Sequence, residues 1–148
     1  MWFNNVVFPQ YKDEKITALE LKNKDIHVFV KGSEKTVWQS NRFETDTHLY
    51  IAETAIDALS HQALFSIQNA FYIATSGSPS KSQLNHILKI IADFEQTVLI
   101  VDNDTGGNRI CDRIEEMIGK SEIDCRLNRH SPASNGADWN DMLLSINI

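Results

Sequence analysis

The chain has 148 residues, 42% apolar and 23% charged, with only three prolines and six glycines. That is the composition of one ordinary globular domain with enough chain to bury a core, and it excludes disordered and fibrous classes. The net charge of −6 falls entirely on residues 49–148, which carry seven Lys/Arg against thirteen Asp/Glu, so there is no basic stripe of the kind that dominates free-standing nucleic-acid binders. No run approaches the ~18 apolar residues of a membrane span. The opening MWFNNVVFPQ has neither a basic flank nor a small-residue cleavage site. Cys111 and Cys125 lack a nearby His/Cys pair, which argues against a zinc cluster or a disulfide scaffold. A reduced, cytoplasmic setting with no membrane partner is expected.

Residues 1–48 read as short strands. VVFPQY, ITALEL, IHVFV and TVWQS are rich in Val, Ile, Thr and aromatics, and KDEK, KNKD and KGSEK separate them as polar turns. This pattern predicts a small antiparallel meander, a β-rich N-terminal extension over 1–48. From residue 49 the texture changes. LYIAE is a short apolar run, and TAIDALSHQALF then places Ile56, Leu59, Ala63 and Leu64 at helical spacing. AFYIATSG is a second run. KSQLNHILKIIADF is helical through Leu84, Ile87, Leu88, Ile91 and Phe94. TVLIVDND is the third run, GGNRICDRIEEMIGK a helix, EIDCRL a weaker strand and ADWNDMLLSI a last short helix. Apolar strands alternating with helices predict an α/β domain over 49–148, a parallel four-stranded sheet flanked by helices.

In such sheets ligands bind beyond the carboxyl ends of the strands. The acidic residues fall there. Glu53 closes the first run, Asp102 and Asp104 close the third, and Asp138 and Asp141 follow the fourth. Like charges gathered this way oppose folding unless a cation joins them. Oxygen donors without Cys or His suit Mg²⁺ or Mn²⁺. Asp102 and Asp104, two apart on an extended segment, should share one face. Gly106 and Gly107 follow at once, and a helix start free of side chains admits a phosphate. Asp57 lies one helical turn after Glu53. It either offsets the helix dipole or orients a metal-bound water.

LYIAETAIDALS, VDNDTGGNR and NGADWNDML, in this order, resemble the Toprim domain of bacterial primases, type IA and type II topoisomerases and related nucleases. The resemblance covers nearly the whole chain. It is nearest to the primase-like Toprim proteins of plasmids and mobile elements, whose pattern before the core is echoed in VVFPQY and VKGSEKTVW. It implies a Rossmann-like fold, divalent metal and nucleotidyl or phosphoryl transfer on nucleic acid, DNA above all, in a primase-like nucleotidyltransferase or a nuclease. Glu53 would be the general acid/base, or a ligand for a second ion. Asp102, Asp104, Asp138 and Asp141 would hold Mg²⁺. Gly77 and Lys81 would contact phosphate. Two positions depart from the family. Asn140 stands where a second Asp is usual, and Asn108 stands where Arg is frequent, with Arg109 adjacent as its substitute. No zinc-binding region or basic template face is visible, so the chain is expected to work with other domains or subunits of a replication or mobilisation protein.

Two rival readings follow from the same residues. VLIVDNDT fits the signature of haloacid-dehalogenase-like phosphatases, with Asp102 as nucleophile. That signature belongs on a first strand, and it leaves Glu53 unexplained. Alternatively the carboxylates bind metal only to dock nucleic acid or a partner, without catalysis. Trp38 and Cys111 are expected in the core and Trp139 as a hydrophobic anchor. The five histidines show no ligand spacing.

Overall fold

A computed structural model describes residues 4–146. The elements in chain order are β1 (Val6–Lys12), β2 (Lys15–Lys22), β3 (His27–Phe29), β4 (Val37–Gln39), β5 (His48–Ala52), α1 (Ala55–Phe65), β6 (Ala70–Ala74), α2 (Lys81–Ile91), β7 (Gln96–Ile100), α3 (Thr105–Gly119), β8 (Arg126–Arg129) and α4 (Trp139–Ile146). All eight strands join one sheet in the order β3-β2-β1-β4-β6-β5-β7-β8. The expected four parallel strands are present as β6-β5-β7-β8. The sheet is nonetheless twice that size, because β4 pairs antiparallel with β6 through Trp38↔Ala74 and Gln39↔Ile73. The meander β1–β4 therefore extends the sheet rather than sitting apart from it. Pairing covers the edge that β6 would otherwise expose.

The helices form two layers. Leu49, Ile51, Phe71, Ile73, Leu99 and Val101 face α2 and α3. Tyr50, Ala52, Tyr72, Ala74, Val98 and Ile100 face α1 and α4, and Phe8 and Trp38 carry that second core out into the meander. Strands buried on both faces need apolar residues at every position, which explains the near-continuous runs of β5, β6 and β7. Each fully buried aliphatic or aromatic side chain contributes about 1.5–3 kcal/mol. Trp139 is 1% exposed and donates from Nε1 to the Ile100 carbonyl at 3.2 Å, so α4 is pinned to the sheet as an anchor.

Local chemistry sets the helix ends. Thr54 caps α1 by accepting from the Asp57 N–H, and Ser66 ends it in the left-handed region at φ 48°. Ser80 and Gln83 form a capping box on α2. Gln83 Nε2 also donates to the Thr36 and Thr75 carbonyls, tying α2 to the end of β6. Two boundaries differ from the sequence pattern. The second helix ends at Ile91, and a turn swings Phe94 into the core. The last strand is Arg126–Arg129 rather than residues 122–127, because its register is set by Gln96↔Arg126 on β7, while Ile123 packs on the core from the preceding loop.

Candidate metal and phosphate site

Three parallel strands deliver their carboxyl ends to one crevice. Glu53 follows β5 directly, and its main-chain carbonyl accepts from the Gly77 N–H at 3.1 Å, which joins the β5 and β6 ends. Ser76 and Gly77 both have positive φ, 54° and 90°, so this turn is sharply folded. Asp102 follows β7 by two residues. Asp57 stands on the first turn of α1 and is 4% exposed.

Burial and mutual repulsion govern these groups. Burial first, then repulsion from Asp57, Glu53, Asp138 and Asp104, together lift Asp102 from the usual carboxylate range to about 7. Burial also raises Glu53, helped by Asp104 and Asp57 and opposed by Lys22. Asp57 is raised by burial and by Asp138. The Thr54 hydroxyl, Lys22 and the Asn140 backbone N–H work against that rise. Glu53, Asp57, Asp102, Asp104 and Asp138 thus lie within one another's electrostatic reach.

Their individual roles are less uniform than the sequence pattern implies. Asp104 caps α3, accepting from the Gly107 N–H at 2.7 Å through Oδ1. Asp138 caps the start of α4 through the Asp141 N–H at 2.6 Å and faces Asp57 and Asp102. Asp141 is exposed and has no part in the electrostatics of Asp57 or Asp102. Asn140 meets Asp57 through its backbone. Gly107 is buried, its N–H is spent on Asp104, and a Cβ there would lie 2.2 Å from the Asp102 carbonyl oxygen. Its freedom is used to seat α3 against the chain's own backbone, leaving the exposed Gly106 as the open position. Lys81 lines a groove between α2 and α3 with Arg113, Glu116 and Lys120. Arg109 is exposed.

Three cations that the sequence did not single out also come to the crevice. Lys22 from β2 opposes the raised pKa of both Glu53 and Asp57. Lys35 Nζ donates to the Ser76 carbonyl at 2.8 Å. Arg129, at the end of β8, donates to Asn108 Oδ1 at 2.5 Å and to the Asp102 carbonyl at 3.5 Å. Asn108 therefore holds an arginine from another strand where Arg109 was expected to serve. The only sequence signal was position, a basic residue at a strand end near an acidic one.

The donor set fits a hard divalent cation. Asp102 Oδ1 is buried without a hydrogen-bond partner, an expensive state for a carboxylate oxygen unless something else meets it. Among the described residues no three His, Cys, Asp or Glu side chains form a preformed metal cage. A Mg²⁺ ion takes about one or two carboxylates from a protein and fills its remaining positions with water and phosphate. The histidines stay out of the site. His61 is fully buried and linked to Tyr72 and His130, against Trp139, and burial holds it neutral down to about pH 4.

Comparisons with known proteins agree with the fold. No curated protein sequence matches the chain significantly. Among solved structures, a DNA primase domain from Pseudomonas aeruginosa superposes with a TM-score of 0.64 at 15% identity, covering 97% of this chain and 48% of that one. The Aquifex aeolicus primase, comprising zinc-binding and RNA polymerase domains, superposes with a TM-score of 0.63 at 13% identity, covering 95% of this chain and 37% of that one. The chain thus spans less than half the length of either structure and shares their fold. A Toprim-like family model matches residues 50–143, from β5 to α4, and the dehalogenase-like reading loses its footing. The chain belongs to the Toprim-like family.

Proposed function

We propose that this chain is the Mg²⁺-dependent (or Mn²⁺-dependent) module of a primase-like protein, active in nucleotidyl or phosphoryl transfer on nucleic-acid phosphodiesters. Its setting would be cytoplasmic DNA replication or plasmid mobilisation, alongside further domains or subunits. No helix among the described residues is long and apolar enough to cross a membrane. One observation carries the reading: Asp102, at the end of a central parallel strand, keeps a buried, unpartnered carboxylate oxygen amid four other carboxylates.

Asp102 and Asp104 would hold the cation, with Asp138 beside them. A cation bound there supplies charge neutralisation at the phosphate. Glu53 is the proton carrier, because burial and the neighbouring Asp104 raise its pKa toward the working pH of a general acid/base. Asp57 is held by the Thr54 hydroxyl at 2.5 Å and the Asn140 N–H, so it is placed to orient water at the crevice floor. Lys22, Lys35 and Arg129 supply the local positive charge that the net −6 chain lacks as a surface stripe.

Glu53→Gln tests the assignment. Primer-synthesis and nicking assays should lose about 10²–10⁴-fold in turnover, the usual worth of a positioned acid/base. The Mg²⁺-dependent rise in melting temperature should persist. Metal binding with no turnover in the wild type, even alongside its natural partner domains, would instead support the docking module. The absence of a basic stripe favours that second reading.

A further inference from the structure

We infer that Glu20, a strand residue outside the carboxylate cluster, is a positioning residue that withholds the Lys22 ammonium from the cluster and braces the turn behind Glu53. The inference rests on the reading of the crevice as a cation site. Glu20 lies in β2 between Leu19 and Leu21, on a sheet face that it shares with Phe8 and Phe29 opposite. An apolar residue would fill that position at lower cost, since Glu20 is 0% exposed. Its carboxylate is fully engaged. Oε2 accepts from the Ser76 hydroxyl at 2.7 Å. Oε1 accepts from His27 Nε2 at 2.6 Å and lies 3.3 Å from Lys22 Nζ.

Two of these partners, Ser76 and Lys22, lead to the crevice. The Ser76 hydroxyl also accepts from Gln10 Nε2 at 2.9 Å, and its carbonyl accepts from Lys35, so a non-glycine residue is held in the left-handed region. The next residue, Gly77, donates to the Glu53 carbonyl. Glu20 therefore links β2 to the main chain of Glu53 through two hydrogen bonds and one turn. Lys22 has a side chain only 13% exposed, and its charge is felt by Glu53 and Asp57. A lysine free to move beside those carboxylates would settle on them and compete with a divalent cation. Anchored on Glu20, it offsets their repulsion and leaves their oxygens open. The arrangement places a counter-charge without occupying the ligand positions.

The test measures Mg²⁺ affinity of the full chain by calorimetry and by thermal shift. Glu20→Gln keeps the size and the bond from Ser76 but loses the anchor for Lys22. It should weaken Mg²⁺ binding by about five-fold, the scale of one partly exposed ion pair. Lys22→Met removes a positive charge felt by Glu53 and Asp57 and should strengthen binding by a similar factor of about five. In the Lys22→Met background, Glu20→Gln should lose most of its effect, because the two act as one unit. Equal effects of Glu20→Gln in both backgrounds, or a lowered melting temperature with unchanged affinity, would overturn the positioning role and leave Glu20 structural. Should Glu20→Gln fail to fold, Lys22→Met alone decides, and an unchanged affinity counts against the inference. A wild type that ignores Mg²⁺ defeats the cation site itself. A wild type that binds without this coupling defeats only the role of Glu20.

Discussion

Gly107→Ala is expected to destabilise the protein by about 3 kcal/mol, the upper end for overpacking against a fixed neighbour. The added Cβ would sit 2.2 Å from the Asp102 carbonyl oxygen and 3.1 Å from its carbonyl carbon and nitrogen. These are backbone atoms at the end of a central strand and cannot turn aside as a side chain does. Relief requires α3 to lift or the Asp102 backbone to shift, and either moves Asp102 within the crevice. For a chain of this size the melting temperature should fall by roughly 6–12 °C. Gly106→Ala is the matched control. Its Cβ would meet only the Asp104 carboxylate, 3.2 Å away at Oδ1, and alanine is the better helix former, so the change should stay within about 1 kcal/mol. Differential scanning calorimetry of the two variants checks this, and equal losses would show that the close approach does not matter.

The second large effect concerns pH. Asp102 titrates near 7 in the folded protein against an ordinary value of 3.8. Between those two points the folded state binds more protons than the unfolded chain. Stability is then highest below the ordinary value and is lost as pH rises through about 7. Glu53 and Asp57, also raised, act in the same direction. Asp102→Asn removes the largest contributor. Relative to the wild type, the metal-free variant should gain stability on moving from about pH 5 to about pH 8. Urea unfolding of both proteins at the two pH values measures the difference. A wild type that gains as much as the variant would mean that Asp102 is not held protonated.

The strand ends were legible in the sequence because a parallel sheet buried on both faces demands unbroken apolar runs, and LYIAE, AFYIA and TVLIV supply them. The position of Glu53 and of the Asp102–Asp104 pair followed from those ends. Other features depend on pairings between distant segments. Among the described residues the ladder that fuses the meander to the parallel strands is the two-residue pairing Trp38↔Ala74 and Gln39↔Ile73, which leaves no pattern along the chain. Lys22, Lys35 and Arg129 come to the crevice from two strands and a loop scattered across the sheet order. Glu20 looks like one more solvated acid until Ser76, His27 and Lys22 close over it. The Gly106–Gly107 pair permits a close approach in either reading, and sequence alone does not say whether a phosphate or the chain's own backbone makes it.

Thermal unfolding against Mg²⁺ and Mn²⁺ tests the central claim most directly, with Asp102→Asn and Asp104→Asn as controls. Asparagine caps helices about as well as aspartate, so Asp104→Asn should keep α3 intact while losing a charge. A ligand at about 100 times its Kd adds about 2.7 kcal/mol to the native state. The wild type should therefore melt roughly 5–11 °C higher at saturating metal, and both variants should respond far less. If the wild type shows no shift up to about 10 mM, above the ~10⁻³ M of weak oxygen-ligand sites, the crevice of this chain does not bind the cation and the catalytic account fails.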